Sequence, residues 1–95
     1  MAAYVIVNDE ITDEGTFSEF RERVGATVEA NGGRYLVRSG NAELIEGNWS
    51  PGRMVVIEFD DANAARGWLN SPEYTELKRI RQRSANASLI LVEGV

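Results

Sequence analysis

The sequence predicts an α+β domain with the element order βαββαβ, a four-stranded antiparallel sheet and two helices on one face of that sheet. Short segments rich in β-branched and aromatic residues stand at both ends and in the middle of the chain. Two stretches between them carry apolar residues at steps of three and four, and clusters of Asn, Gly and Pro separate the segments. The length of 95 residues fits one domain, residues 1–95.

The N-terminal third predicts a strand followed by a helix. Ala3 to Val7 (AYVIV) indicates the first strand, and the polar stretch Asn8 to Gly15 indicates a break in regular structure. Thr16, with Glu19 three residues later, fits a capping box, so we expect the helix to begin there. The Asn-Gly-Gly run from Asn31 ends the helix, since Gly readily takes the left-handed conformation. The apolar stripe of this helix consists of Phe17, Phe20, Val24 and Val28.

The middle of the chain predicts two further strands joined by a loop. Arg34 to Arg38 (RYLVR) indicates the second strand, and Ala42 to Glu46 (AELIE) indicates a short extension of it. Gly47 to Gly52 (GNWSPG) indicates a loop. The third strand lies in the stretch 53–61, RMVVIEFDD, where the apolar residues do not alternate with polar ones. Both faces of this strand therefore need cover.

The C-terminal third predicts an interrupted helix and a last strand. Asp60 or Asp61 caps the helix, and the run Asn70-Ser71-Pro72 interrupts it. Ser71 suits the N-cap of the renewed helix, with Pro72 at its first position. Ser88 to Glu93 (SLILVE) indicates the last strand. The helical residues expected to face the core are Ala62, Ala65, Trp68, Leu69, Tyr74, Leu77 and Ile80.

This element order predicts a sheet that a single chain does not fully cover. Right-handed crossovers and pairing of neighbouring strands give the ferredoxin-like arrangement, in which both helices lie on one side. Val5 and Val7 share one face and Tyr4 and Ile6 the other, so both faces are apolar. Soluble monomers rarely expose an apolar patch of several hundred Å². A homodimer with two-fold symmetry is the predicted solution, and the alternative is a monomer whose loop, Asn41 to Gly52, folds over the sheet.

Composition excludes several classes of function. The absence of Cys and His rules out disulfides, thiolate chemistry and metal sites of the usual His/Cys kind, and we expect neither a metal nor a cofactor. A net charge of −5 disfavours a nucleic-acid partner, and the basic run Lys78, Arg79, Arg81 and Arg83 is interpreted as a solvated helix face. Without a long apolar run or a signal peptide, the sequence predicts no membrane association and a cytoplasmic location.

Charged residues within apolar strands are the first candidates for a site. Glu58 interrupts the third strand, and we expect Arg34 opposite it and Arg38 near Met54, on the same side of the sheet as Arg34. One interpretation is a structural cross-strand ion pair. The other makes Glu58 a general base and gives Arg38 and Arg34 the carboxylate of a small ligand. The sequence leaves both open.

Aromatic residues are the second group of candidates. Tyr35, Trp68 and Tyr74 suit either core packing or the lining of a ligand pocket. Trp49 lies in a Gly/Pro-containing loop, where it serves local packing or acts as an interface or lid residue.

Four segments, NGGRYLVRSG, VVIEF, AARGWLNSPEYTELKRIRQRS and LVEGV, resemble the bacterial domain of unknown function 1330 family in order and spacing. The combination of GGRYLVR with WLNSPEY is their most specific part. The resemblance implies a dimeric α+β barrel, with two ferredoxin-like sheets face to face and the helices outside. It also implies a superfamily that includes cofactor-free monooxygenases, haem-degrading enzymes and lactone isomerases, without assigning the family a reaction.

These observations predict a small dimer that binds an acidic or aromatic molecule in a pocket between sheet and helices. A cofactor-free isomerase or monooxygenase fits this prediction, because such chemistry needs neither a metal nor a Cys or Ser nucleophile. The alternative is a non-catalytic structural or accessory dimer with no small-molecule substrate.

Overall fold

The computed structural model describes residues 1–95 as one sheet layer and one helix layer. The elements are β1 (Ala3–Ile11), α1 (Glu14–Ala30), β2 (Arg34–Gly40), β3 (Arg53–Phe59), α2 (Ala62–Leu69), α3 (Pro72–Ser84) and β4 (Ala85–Glu93). The strands form an antiparallel sheet in the order β2-β3-β1-β4. This is the ferredoxin-like α+β fold predicted from the sequence, with the second helix divided into α2 and α3. None of the helices has the length and apolarity that crossing a membrane requires.

Side chains that cap the helices fix where each one begins. Helix α1 is capped by Asp13 and not by Thr16, since the Asp13 carboxylate accepts hydrogen bonds from the Thr16 backbone N–H at 3.1 Å and from its hydroxyl at 2.7 Å. A carboxylate at this position satisfies a free N–H and suits the positive end of the helix. The caps of α2 and α3 are Asp61 and Ser71, with Pro72 in the first turn of α3, as the sequence predicts.

Alternation along β1 and β3 divides the sheet into a buried face and an open face. On the buried face, Val5, Val7, Val55 and Ile57 are at most 6 % exposed and contact the helices. The helices contribute the predicted residues Phe17, Phe20, Val24, Val28, Ala65, Trp68, Tyr74, Leu77 and Ile80 to the same core. The alternation continues past the predicted end of β1 at Val7. The strand runs on to Ile11, which pairs with Ala85, so β4 also begins earlier than predicted.

The open face of the sheet has no cover within the chain. Tyr4 and Ile6 of β1 lie on this face and are only partly buried. On the edge strand β4, Ile90 is 56 % and Val92 is 40 % exposed. An apolar surface that spans the strands of a sheet in this way is typical of an interaction surface.

The segment 41–52 between β2 and β3, here called the arm, leaves the sheet without regular structure. The predicted strand extension at Ala42 to Glu46 is wrong, because no neighbouring strand offers hydrogen bonds there. Residues 41–50 are all exposed, among them Ile45 at 84 % and Trp49 at 50 %. The arm therefore does not fold over the sheet, so the loop cover on which the monomeric alternative depends is wrong.

An irregularity in β2 sets the direction of Arg38. Tyr35 pairs with Ile57, but the register then shifts, so that Val37 pairs with Val56 and Arg38 with Val55. The shift turns Arg38 to the buried face, whereas Arg34 remains on the open face. The expectation that the two arginines share a side, with Arg38 near Met54, is therefore wrong.

Close packing at Gly52 joins the arm to β1. A Cβ atom at Gly52 would overlap the backbone oxygen of Asp9, so we expect Gly52→Ala to lower the free energy of unfolding by about 1–3 kcal/mol. Urea denaturation measures this difference. The matched control is Gly67→Ala in helix α2, where a Cβ meets nothing within 4 Å. That variant should be as stable as wild type or more stable, since Ala favours a helix. Equal stability of wild type and Gly52→Ala would contradict the described packing.

Candidate functional site

A small cavity lies between the buried face of the sheet and the helices. The volume open to the centre of a water-sized sphere is about 20 Å³, enough for one or two waters. Eight of the eleven residues that line it are aliphatic or aromatic. The polar groups that line it are Asp9 of β1, Tyr35 of β2, Arg53 of β3, Trp68 of α2, and Tyr74 and Arg81 of α3.

Asp9 and Arg53 form a buried ion pair at the sheet wall of the cavity. The two residues are direct cross-strand partners in β1 and β3, and Arg53 Nη1 donates to Asp9 Oδ2 at 2.9 Å. Their side chains are 1 % and 9 % exposed. Arg53 Nε also donates to the Ser39 hydroxyl at 2.7 Å, and the guanidinium lies 5.4 Å from the centre of the Phe17 ring. These contacts fix the guanidinium, while Asp9 Oδ1 has no hydrogen-bond partner.

Arg81 and Tyr74 form the helix wall of the cavity. They are two turns apart on α3, and Arg81 Nη2 donates to the Tyr74 hydroxyl at 3.3 Å. Both residues are buried, at 6 % and 2 % exposure, and Arg81 Nε has no hydrogen-bond partner. A phenol carries no charge to balance the guanidinium. The Arg81 charge is therefore buried without a direct carboxylate partner.

The surroundings of the cavity shift the acidity of three of its groups. Burial raises the pKa of the Asp9 carboxyl above its ordinary value, although the hydrogen bond and charge of Arg53, followed by the charges of Arg81 and Arg21, act in the opposite direction. Burial also raises the pKa values of the Tyr35 and Tyr74 phenols. Both phenols therefore stay protonated at neutral pH and act as neutral hydrogen-bonding groups.

Trp68 forms the rigid floor of the cavity. Its Nε1 donates to the Thr27 hydroxyl at 3.0 Å, and that hydroxyl donates to the Val24 carbonyl oxygen at 2.7 Å. The Trp68 ring packs 4.3 Å from the Tyr74 ring and 5.7 Å from the Phe59 ring, measured between centroids. A buried indole with a satisfied N–H and two ring contacts has little freedom to move.

Four of the residues proposed from the sequence lie at or beside this cavity. Tyr35, Trp68 and Tyr74 line it. Arg38 does not, but its guanidinium lies 4.5 Å from the centre of the Tyr35 ring and its Nη2 donates to the Arg21 carbonyl oxygen at 3.3 Å. A Cβ at Gly25 would lie 3.3 Å from the Arg38 guanidinium, so the glycine leaves room for that contact.

The other three residues lie elsewhere. Arg34 and Glu58 are cross-strand partners, as predicted, and Arg34 Nε donates to Glu58 Oε1 at 2.6 Å. This pair is on the open face, away from the cavity, and the role of Glu58 as a general base stays a prediction. Trp49 is in the arm and is half exposed. Its role as an interface or lid residue also stays a prediction.

Sequence reasoning missed the three charged residues of the cavity. Asp9 was placed in a polar break, although it continues the inward alternation of Ala3, Val5 and Val7. Arg81 was assigned to a solvated basic face, although it lies seven residues after Tyr74 on the buried stripe of α3, and only Lys78, Arg79 and Arg83 of that run are exposed. Charged residues at the inward positions of a strand or helix were the signal that could have identified the site.

Comparison with protein families assigns the whole chain. A family model described as "Domain of unknown function (DUF1330)" matches residues 2–95. No curated protein matches the chain in sequence.

Solved structures share the fold at low sequence identity. A protein of unknown function from Rhodopseudomonas palustris is 13 % identical, with a TM-score of 0.81 over 99 % of this chain and 82 % of that one. A dimeric ferredoxin-like protein of unknown function from Jannaschia is 15 % identical, with a TM-score of 0.68 over 99 % and 100 %. SnoaB, a cofactor-independent oxygenase from Streptomyces nogalater, is 14 % identical, with a TM-score of 0.62 over 99 % and 92 %. At such identities the likeness shows the fold.

The raised pKa of Asp9 predicts a particular pH dependence of stability. At pH values between the unfolded and the folded pKa, the folded chain holds a proton on Asp9 that the unfolded chain, with a carboxyl pKa near 3.8, has already released. The stability that Asp9 contributes is therefore complete below the unfolded pKa and is lost as pH rises through the folded pKa. We expect the unfolding free energy of wild type minus that of Asp9→Asn to fall as pH rises from the unfolded carboxyl pKa of 3.8 through the raised pKa of the folded chain.

Chemical denaturation across this pH range measures that difference. The matched control is Glu10→Gln, which removes the neighbouring and exposed carboxylate of the same strand. Its difference from wild type should vary less with pH. A constant difference for Asp9→Asn would show that burial does not govern the ionisation of Asp9.

Proposed function

The chain belongs to the domain of unknown function 1330 family, and from its cavity we propose that it binds a small acidic molecule between the sheet and the helices. The observation that carries this proposal is the charge of the lining: two guanidinium groups, Arg53 and Arg81, face one carboxylate, Asp9. Asp9 is already paired with Arg53. The remaining positive charge on Arg81 is available to an anion.

The cost of burying Arg81 supports an anionic ligand. An isolated charge in an apolar interior is strongly unfavourable unless a partner of opposite charge accompanies it. Tyr74 supplies a neutral hydroxyl, and Arg81 Nε is left without any partner. An oxygen of an anionic ligand would satisfy this nitrogen, and the charge of the ligand would offset that of Arg81.

Entry of a ligand requires movement of the wall. The cavity of about 20 Å³ is smaller than an organic acid. Among the polar lining groups, Tyr35 and Arg53 keep partial exposure and so mark the side that opens. Arg53 directly follows the arm and donates a hydrogen bond to Ser39, which lies just before the arm. A shift of the arm would therefore carry Arg53 and Ser39 outward.

The same proposal includes a homodimer formed through the open face of the sheet. Its support is the uncovered apolar surface, which includes Ile6, Ile90 and Val92 and which the arm does not shelter. A second copy placed there would leave the cavities on the outer, helix-bearing sides. A cytoplasmic location stays a prediction from the sequence.

Cofactor-free isomerase or monooxygenase chemistry is the catalytic form of this proposal. It is supported by a buried carboxylate and an unpaired guanidinium nitrogen on two residues that line one cavity, and the fold occurs in a cofactor-independent oxygenase. The second candidate is a non-catalytic dimer without a small-molecule substrate. The small volume of the cavity favours this candidate, because packing alone nearly fills the space between sheet and helices.

A thermal-shift and calorimetric panel of small carboxylates tests ligand binding. We expect acids such as pyruvate, benzoate and 4-hydroxybenzoate to include at least one compound that raises the melting temperature. Arg81→Gln should weaken its binding by roughly 10- to 100-fold, the value of one charge-assisted hydrogen bond. The control Arg79→Gln removes an exposed charge from the same helix and should bind as wild type does.

In the same assay, Arg38→Ala tests the ligand role predicted from the sequence. The absence of binding by every acid would favour the non-catalytic dimer.

Sedimentation at micromolar concentration tests the dimer. Ile90→Lys places a charge at the centre of the exposed part of β4, where an isolated subunit tolerates it but an apolar interface does not. We expect wild type to sediment as a dimer and this variant as a folded monomer. The control Gln82→Lys introduces the same charge on the exposed side of α3 and should remain dimeric. A monomeric wild type would contradict this part of the proposal.

A further inference from the structure

Two buried side-chain atoms in the whole chain lack a hydrogen-bond partner, and both belong to residues that line the cavity. They are Asp9 Oδ1 and Arg81 Nε. Asp9 belongs to the sheet and Arg81 to helix α3, so the two residues line the cavity from opposite layers. Leaving either unpaired is costly, so each atom needs a partner, and a group bound in the cavity that both residues line would be placed to supply one.

Arg81 Nε and Asp9 Oδ1 differ in hydrogen-bonding chemistry, and this difference limits the ligands that can satisfy both atoms. Arg81 Nε carries a hydrogen and can only donate, whereas an ionised Asp9 Oδ1 can only accept. A single carboxylate cannot satisfy both, since it has no proton to give to Asp9. A molecule with an oxygen acceptor next to a removable proton satisfies both atoms at once.

We propose that Asp9 accepts a proton from carbon and Arg81 stabilises the adjacent oxygen during enolisation of a small 2-oxo acid bound in the cavity. This inference rests on the proposed function, because the carboxylate of the 2-oxo acid answers the excess positive charge of the lining. Arg53 also lines the cavity, and its hydrogen bonds use Nε and Nη1, which leaves Nη2 for the carboxylate. Asp9 and Arg81 are then catalytic residues in the strict sense of contacting the reacting atoms.

The step balances without a further reactant. Asp9 Oδ1 takes the proton from the carbon next to the carbonyl, and the electron pair of the broken C–H bond forms a carbon–carbon double bond. The carbonyl π pair moves to oxygen, which becomes an enolate and accepts a hydrogen bond from Arg81 Nε. Return of the proton to the same carbon regenerates the 2-oxo acid, and its delivery to the oxygen gives the enol. Nothing is oxidised or reduced.

The hydrogen bonds around the cavity fit this division of roles. The bond from Arg53 to Asp9 Oδ2 orients the carboxylate and leaves Oδ1 for the proton. The Tyr74 hydroxyl holds Arg81 through Nη2 and leaves Nε for the oxygen. Tyr74 is itself occupied by that contact, and the open-face carboxylate of Glu58 is bonded to Arg34, so neither competes with Asp9 as the proton acceptor.

Hydrogen–deuterium exchange of 2-oxo acids in D₂O tests the inference. The probes are pyruvate, 2-oxobutanoate and phenylpyruvate, with loss of the C3 proton signals followed by NMR and binding followed separately by thermal shift. We expect wild type to accelerate exchange of at least one bound probe by about 10²-fold or more. Asp9→Asn should lose that acceleration, while Glu10→Gln, an exposed neighbour in β1, should retain it.

A pH profile of wild type replaces the variant if Asp9→Asn does not fold, as judged by circular dichroism. The exchange rate should rise with pH as Asp9 ionises and then level off. The charged and titratable groups that face Asp9 are Arg53 from β3, Arg81 and Tyr74 from α3, and Arg21 from α1. Arginine side chains stay charged in proteins and Tyr74 stays protonated at neutral pH, so a rise of the rate with pH is assigned to Asp9.

The outcomes separate this inference from the function on which it rests. Binding without acceleration, acceleration that persists in Asp9→Asn, or a flat pH profile would overturn the proton-transfer role and leave acid binding in place. If none of the three probes nor the carboxylates of the binding panel binds, acid binding itself is overturned and the enolisation falls with it. Binding together with Asp9-dependent exchange establishes both.

Discussion

Alternation of side chains along the two central strands, combined with helices on only one face, determines the rest of this structure. Successive residues of a strand point to opposite faces, so Val5 and Val7 reach the helices while Ile6, between them, does not. The same rule divides β3 between the buried Ile57 and the open-face Glu58. A cavity bounded by helices and an apolar face without cover are both consequences of this one division.

The charges of the cavity are inserted into this alternation at positions where apolar residues would be more favourable for folding. Asp9 takes the inward position that follows Val7, and Arg53 faces it across the strands. Replacing a buried ion pair by apolar residues of similar size is often neutral or stabilising, so stability alone does not account for this pair. Arg81 adds a second guanidinium without a carboxylate of its own. The proposed binding or proton-transfer role would account for both Asp9 and Arg81, because buried charged groups with perturbed pKa values cluster at functional sites.

The sequence predicted the fold more fully than the site because the two depend on different kinds of information. Periodicity along the chain was sufficient to identify the strands, the helices and the stripe from Phe17 to Val28, and it also placed Trp68 and Tyr74 inward. The site depends on which residues meet across strands and layers. Arg38 shows the difficulty, since a single register shift in β2 reverses its direction. Asp9 shows a second difficulty. Its polar side chain indicates the end of the first strand, but Asp9 lies within β1, at a position that faces the core.

The two proposed properties of the molecule, ligand binding in the cavity and dimer formation through the open face, use different sides of the sheet. Dimer formation would nevertheless stabilise the cavity. Each group that lines the cavity comes from the helix-bearing face or from the helices, so one chain supplies the complete lining. A second copy on the open face would contact none of these side chains. The second copy would instead contact the open face of β1. In this strand Ile6 lies on the open face, and Asp9, three residues later, lies on the buried face. Dimer formation would therefore act on the cavity through the backbone of β1 and β3, by restricting motions that would otherwise separate Asp9 from Arg53 at the sheet wall.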